Sequence, residues 1–216
     1  KTTHVTGLPR DMGSSGDPSP YTAVGCFLGI KACIEKSLGT DDFKGVRIAV
    51  QGAGHVAHYL CGHLAKAGAE MIVTDIVDER AQRIVDEFGG TLVSPEEIYD
   101  VDCEIYCPCA LGATINDNTI PRLKAKIVAG AANNQCLTVE HGDVLRDRGI
   151  LYAPDFVINA GGIVPPHPVE RVQTAIDRLS FNHAVLINKV ALRDQIAHVV
   201  LHRTTSHTCK LFHFVP

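Results

Sequence analysis

Apolar residues along this chain fall into short runs that alternate with longer stretches of helical spacing. Ser19-Pro20 supplies a cap residue followed by a proline suited to a first helical turn. Tyr21 to Leu38 then repeats apolar positions at helical intervals until Gly39-Thr40-Asp41-Asp42 ends the pattern. Val46-Arg47-Ile48-Ala49-Val50 is a compact apolar run between turn signals, the look of a strand buried on both faces. His55 to Ala67 reads as a helix stopped at Gly68, Met71 to Asp75 as a second strand, and Asp78 to Phe88 as a helix stopped by Gly89-Gly90. Thr91 to Val93, Cys103 to Cys107, Ile127 to Ala129 and Leu151 to Ala153 continue as strands. Ser94-Pro95-Glu96-Glu97 reads as a capped helix start and Val139 to Arg148 as a further helix. Such alternation predicts a parallel sheet with helices on both faces, a doubly wound α/β fold.

The pattern breaks at Gly161 to Pro168, where two glycines precede three prolines. Val169 to Val200 returns to helical spacing, and the stretch from Arg203 is rich in Thr, His and Ser, which predicts an irregular tail. Three segments follow: 1–40 as an N-terminal segment with a connecting helix, 41–164 as the α/β domain, and 165–216 as C-terminal helices and tail. The chain opens Lys1-Thr2-Thr3-His4 without an initiator methionine or a signal-peptide core, and is expected to begin within a longer protein.

Composition narrows the partners. In 216 residues, 20 Lys and Arg stand against 24 Asp and Glu, a formal net charge of −4 that offers no basic footprint for nucleic acid or an anionic membrane. No apolar run reaches the length that spans a bilayer. The 8 cysteines are scattered through apolar segments without a CxxC pair, and are expected to act as small buried hydrophobes in a reducing, cytoplasmic setting. His198 and His202 have a spacing that holds zinc in some proteins, but no glutamate lies between them, so no metal site is expected.

The chemistry sits after the first strand. Gln51-Gly52-Ala53-Gly54-His55-Val56-Ala57 is a G-x-G-x-x-A sequence that leaves a strand and opens a helix, the dinucleotide fingerprint of a Rossmann-like fold. Gly52 permits the turn, Gly54 lets the backbone approach a pyrophosphate, and the amides of His55 and Val56 begin the helix whose N-terminus meets that charge. Asp75 ends the next strand, where a carboxylate accepts both ribose hydroxyls and repels a 2′-phosphate. With no Arg among the next three residues, the combination predicts NAD rather than NADP. A plain tight turn is the alternative for the glycines, and a helix cap the alternative for Asp75. Cys107-Pro108-Cys109-Ala110-Leu111-Gly112 and Gly130-Ala131-Ala132-Asn133-Asn134-Gln135 leave later strands at the edge where ligands bind, so Cys109, Ala110 and Asn134 join the candidates. Asn159-Ala160-Gly161-Gly162, after Val157-Ile158, has the same character, although each loop by itself also reads as a turn.

These motifs, with Val5-Thr6-Gly7, Gly13-Ser14-Ser15-Gly16-Asp17-Pro18-Ser19-Pro20, His141-Gly142-Asp143 and Ala153-Pro154-Asp155-Phe156-Val157-Ile158-Asn159-Ala160-Gly161-Gly162, resemble the leucine branch of the glutamate/leucine/phenylalanine/valine amino-acid dehydrogenases from Val5 to Val164. The resemblance implies an NAD-dependent enzyme and oxidative deamination of L-leucine or another branched-chain amino acid. Hydride leaves Cα for the nicotinamide ring, and the imine hydrolyses to a 2-oxo acid and ammonia. It implies that Thr22 bonds the nicotinamide carboxamide, that Asn134 contacts the nicotinamide ribose, that Asn159 sits beside the reacting ring, and that Thr6 and Ile163 line the substrate pocket. It further implies a homo-oligomer. The family's catalytic lysines and aspartate belong to a domain preceding Val5, and none of the lysines here lies in a comparable glycine-rich loop. No catalytic residue is therefore expected in this chain, which should bind NAD without turnover. After Val164 the family pattern gives way to Pro165-Pro166-His167-Pro168. An inactive NAD-binding or regulatory module and a phenylalanine- or valine-type dehydrogenase remain alternative readings.

Overall fold

The computed structural model describes residues 16–160. Thr6, Ile163, the proline-rich break and the segment 165–216 lie outside the described residues. Within them the chain runs α1 (Ser19–Leu38), β1 (Arg47–Gln51), α2 (His55–Lys66), β2 (Glu70–Thr74), α3 (Asp78–Phe88), β3 (Thr91–Leu92), β4 (Ile105–Pro108), β5 (Ile127–Val128), α4 (Glu140–Asp147), β6 (Leu151–Tyr152) and α5 (Asp155–Ile158).

The strands form one six-stranded sheet in the order β3-β2-β1-β4-β5-β6, and every pairing is parallel. This is the doubly wound order, in which the direction of winding reverses between β1 and β4 and opens a crevice at the carboxyl ends of those strands. Register sets that edge: Gln51, the last residue of β1, lies opposite Thr74 on one side and Pro108 on the other. The buried runs of β1, β4 and β5 explain why these strands read as unbroken apolar stretches rather than alternating ones. Ala49, Tyr106 and Val128 turn one way, into a core with Ile98, Ile115, Ile120, Leu123 and Leu145. On the opposite side of β4 the Cys107 thiol meets that of Cys26 on α1.

Helix starts differ in detail from the sequence expectation. Ser19 does not cap α1; Pro18 takes that position, and the Asp17 carboxylate accepts the Ser19 N–H at 2.9 Å. Ser94 and Glu97 do form a reciprocal capping pair, the Ser94 N–H donating to Glu97 Oε2 at 3.0 Å, but the helix they start is a single 3-10 turn, Glu97–Tyr99. Val157 and Ile158 lie in the short helix α5 rather than before a loop.

Helix α1 packs on α5 through a missing side chain. A Cβ added at Gly29 would lie 2.6 Å from Ile158 Cγ1, and Ile158 is buried. Overpacking costs about 1–3 kcal/mol, against which alanine's better helix propensity returns about 1 kcal/mol. Gly29→Ala is therefore expected to lower the urea midpoint, and the Gly29→Ala, Ile158→Ala double variant to lose less than the sum of the two single losses. An unchanged midpoint would show that α5 yields freely.

The far end of the sheet is held by charge. Arg47 donates from its backbone N–H and from Nη2 to Glu104, at 2.9 and 2.8 Å, and from Nη1 to Asp102 at 2.7 Å. The guanidinium holds the Glu104 carboxyl below its ordinary value of 4.5. Its stabilising contribution is thus present above the unfolded value and lost as pH falls through the lower folded one. Urea midpoints measured from about pH 6 to about pH 3 should fall less steeply in Arg47→Gln than in the parent. Equal slopes would mean that this ion pair is absent in solution.

The expected burial of the cysteines holds at five of the seven described positions, with Cys109 and Cys136 only partly buried. Cys26, Cys33, Cys61, Cys103 and Cys107 are buried free thiols, and burial pushes Cys33 up to about 12 and Cys103 up to about 11, values at which a thiol is inert.

Candidate functional site

The site is built at the carboxyl ends of β1, β2, β4 and β5. Gln51 closes β1 with both ends of its amide engaged: Tyr106 donates to its Oε1 at 2.7 Å, and its Nε2 donates to the Tyr99 hydroxyl at 2.8 Å. Its carbonyl accepts the Cys109 N–H at 2.7 Å, and the Gly52 N–H that follows donates to the Thr74 carbonyl at 2.8 Å. The exit of β1 is thus tied to both neighbouring strands before the chain turns.

The two glycines then do different things. Gly52 has φ +103°, and a Cβ there would lie 2.7 Å from Ala110 N and 2.8 Å from its Cα. It permits both the turn and the close approach of the β4 loop, which brings Cys109 and Ala110 against the fingerprint. Gly54 has ordinary extended backbone and caps α2, and a Cβ there would meet nothing within 4 Å. Gly54 and His55 are exposed and Val56 half-buried. Among the described residues no side chain caps this helix, and its first turn carries no acidic residue, whereas α3 opens with Asp78 and Glu79 and α4 with Glu140 and Asp143. A helix whose first amides are satisfied neither by a cap nor by an acid suits an anion from outside.

Asp75 reaches back to this turn. Its Oδ2 accepts the Ala53 N–H at 2.6 Å and its Oδ1 the Val77 N–H at 2.9 Å. The second bond is the capping alternative, since Val77 stands at the N-cap of α3. The first ties the carboxylate to the glycine turn, and each oxygen keeps a lone pair for a further donor. From Asp75 an open groove of about 750 Å³ runs past Asp78, Glu79 and Gln82 to Leu92 and Val93.

On the other side of the crevice, a Cβ at Gly130 would collide with the carbonyl of Pro108, so the β5 loop also hugs its neighbour. Asn134 and Asn159 are both fixed. The Asn134 N–H donates to Asp155 Oδ2 at 2.7 Å. Asn159 Nδ2 donates to Asn133 Oδ1 at 2.7 Å and to the Ala131 carbonyl at 3.3 Å. Gln135 is fully buried and donates to the carbonyls of Gly130 and Ala132, shaping the loop from beneath.

Two placements qualify the sequence reading. The Thr22 hydroxyl donates to the Pro18 carbonyl one turn back, at 3.0 Å, and so serves its own helix. The Cys109 thiol lies 3.7 Å from that of Cys107; this contact and burial raise it well above the ordinary thiol range, so it stays protonated. Gln51, Gln135 and Asp155 escaped notice as site-builders. Pro154-Asp155, a proline and an acid at a helix start, was the available signal for α5.

Sheet order, glycine turn and acidic strand end together place the fold in the Rossmann class. Residues 73–177 match the family model described as Glutamate/Leucine/Phenylalanine/Valine dehydrogenase. The chain is 57% identical over 164 residues to the leucine dehydrogenase of Bacillus cereus, covering 76% of this chain and 45% of that protein. It is 56% identical to the leucine dehydrogenase of Bacillus subtilis, with the same coverage, and 45% identical to the L-tryptophan dehydrogenase of Nostoc punctiforme over 76% of this chain and 46% of that protein. The crystal structure of the Nostoc punctiforme tryptophan dehydrogenase matches with a TM-score of 0.70 and 41% identity, over 75% of this chain and 52% of that one. The chain belongs to the glutamate/leucine/phenylalanine/valine dehydrogenase family. It spans under half the length of the curated relatives it matches.

Proposed function

We propose that this chain supplies the NAD-binding unit, built on residues 41–164, of an amino-acid dehydrogenase that oxidatively deaminates L-leucine or another branched-chain amino acid. The observation that carries the reading is the open start of α2 at Gly54, where no described side chain bonds the first amides, beside a carboxylate already bonded to the same turn. A diphosphate fits the α2 amides, and the adenosine ribose fits Asp75. The groove beyond Asp75 is lined by Asp78, Glu79, Asp86 and Glu87 together with Arg83, an acidic excess that favours NAD over a cofactor with a 2′-phosphate. NAD, when bound, would supply the hydride acceptor, and the residues of this chain would bind and orient it. Cys109 and Ala110 close the crevice from β4, while Asn134, Asn159 and Thr22 belong to the nicotinamide end. Thr6 and Ile163 belong to the substrate pocket, proton transfer is left to groups outside this chain, and a cytoplasmic homo-oligomer is the expected assembly.

Branched-chain substrates are favoured by the identities of 57% and 56% to two leucine dehydrogenases against 45% to the tryptophan enzyme. The test is a chimera in which the matching segment of the Bacillus cereus leucine dehydrogenase is replaced by that of this chain. Leucine-dependent NAD reduction exceeding that with phenylalanine or tryptophan is the expected result. A chimera that binds NADH yet reduces no NAD would contradict the enzyme reading and favour a binding module.

A further inference from the structure

Ala113 and Asn134 are the two non-glycine residues with positive φ among the described residues, at 63° and 50°. They are bonded to each other, the Ala113 N–H donating to the Asn134 carbonyl at 2.7 Å. The loops leaving β4 and β5 meet here at close quarters: a Cβ at Gly112 would lie 2.6 Å from the carbonyl oxygens of both Asn133 and Asn134. Left-handed backbone disfavours any residue with a side chain and persists where the surroundings over-determine it. Asparagine tolerates it best, but tolerance does not hold the residue there.

Asp155 supplies the hold. It opens α5, 21 residues further along the chain, and its Oδ2 accepts the Asn134 N–H at 2.7 Å. A charged acceptor makes this a strong bond for a backbone amide on an exposed loop. From the far end of α5, Asn159 grips the preceding residues through Asn133 Oδ1 and the Ala131 carbonyl. The bonds to Asp155 and Ala113 hold Asn134 by its backbone N–H and carbonyl, and they leave its exposed side chain outside the clasp.

We propose that Asp155 is a positioning residue for the cofactor: by holding the Asn134 backbone left-handed, its carboxylate fixes the direction in which the Asn134 amide is offered to the nicotinamide ribose. This rests on the reading that the chain binds NAD with Asn134 at that ribose. Asp155 does not touch the cofactor in this account; it acts through Asn134.

The test compares NADH with ADP, which carries the adenosine and diphosphate but lacks the nicotinamide ribose, on the 216-residue chain. Asp155→Ala is expected to weaken NADH about tenfold and ADP less than about twofold. Asp155→Asn, whose side-chain oxygen can accept the same N–H, is expected to recover most of the NADH affinity. In an Asn134→Gly background, Asp155→Ala should cost little more, because the residue through which it acts is gone. Unchanged NADH binding in Asp155→Ala, equal losses for NADH and ADP, or additive losses in the double variant would each overturn the proposal. The ADP titration separates a misfolded variant from a mispositioned loop. If the parent chain binds ADP but not NADH, or neither, the failure lies in the underlying reading rather than in Asp155.

Discussion

Gly52→Ala is expected to destabilise the protein by about 3 kcal/mol, because two penalties add at that position. The backbone sits at φ +103°, and the new methyl would meet the Ala110 amide nitrogen at 2.7 Å. That neighbour is main chain, held by the Cys109 N–H bond to the Gln51 carbonyl, so it cannot turn aside as a flexible side chain would. For a chain of this size a loss of this order lowers the melting temperature by roughly 6–12 °C. Gly54→Ala makes the contrast. Its φ of −75° and ψ of −173° are ordinary and nothing lies within 4 Å of the added carbon. Stability should therefore change by less than about 1 kcal/mol, the cost of a poorer N-cap. The methyl instead projects into the space that the proposed diphosphate would occupy, and NADH affinity is expected to fall about tenfold or more. Thermal melts and NADH titrations on the two variants should thus separate cleanly: one loses fold, the other loses ligand. If both variants lost stability equally, the open start of α2 would be filled by protein, and the binding account would fail.

Asp75→Ala carries the second large effect. The carboxylate accepts from Ala53 and Val77 at 2.6 and 2.9 Å, and hydrogen bonds to a charged group are worth about 1.5–3 kcal/mol each in net terms. Its loss should loosen the glycine turn and the start of α3 while removing the acceptor for the ribose hydroxyls. NADH affinity is expected to drop roughly 10- to 100-fold. NADPH should change in the other direction relative to NADH, because the nearest fixed negative charge facing a 2′-phosphate has gone. Asp75→Asn keeps one acceptor oxygen but presents its NH₂ to the second amide, so it should fall between parent and alanine variant. An Asp75→Ala protein that binds NADH as the parent does would reduce Asp75 to a cap for α3.

Much of this was legible because local signals agreed. β1 and β2 are apolar runs bounded by glycine or acid, α3 matches its predicted span from Asp78 to Phe88, and the G-x-G-x-x-A turn falls between strand and helix as its chemistry requires. What was not legible depends on partners distant in sequence. That Asp75 bonds the Ala53 amide follows from the register of β1 against β2, not from either segment alone. Asn134 is of a type that tolerates left-handed backbone, but Ala113 gives no such signal, and the conformation of both is imposed by the meeting of two loops. α5 escaped because Phe156-Val157-Ile158 is apolar, partly β-branched and too short for helical spacing to show. β3, β5 and β6 came out at two residues each, where three were expected in every case, since edge residues leave the ladder first.

The central claim is that a nicotinamide dinucleotide lies across the carboxyl edge of this sheet with its adenosine ribose at Asp75. The chain has no tryptophan, so the emission of NADH can be followed against a quiet background. Titration of the unaltered chain with NADH and, separately, NADPH is the most direct measurement. The account predicts saturable binding at one site per chain with NADH favoured at least about tenfold. No saturable binding of either nucleotide, or a preference for NADPH, would contradict it.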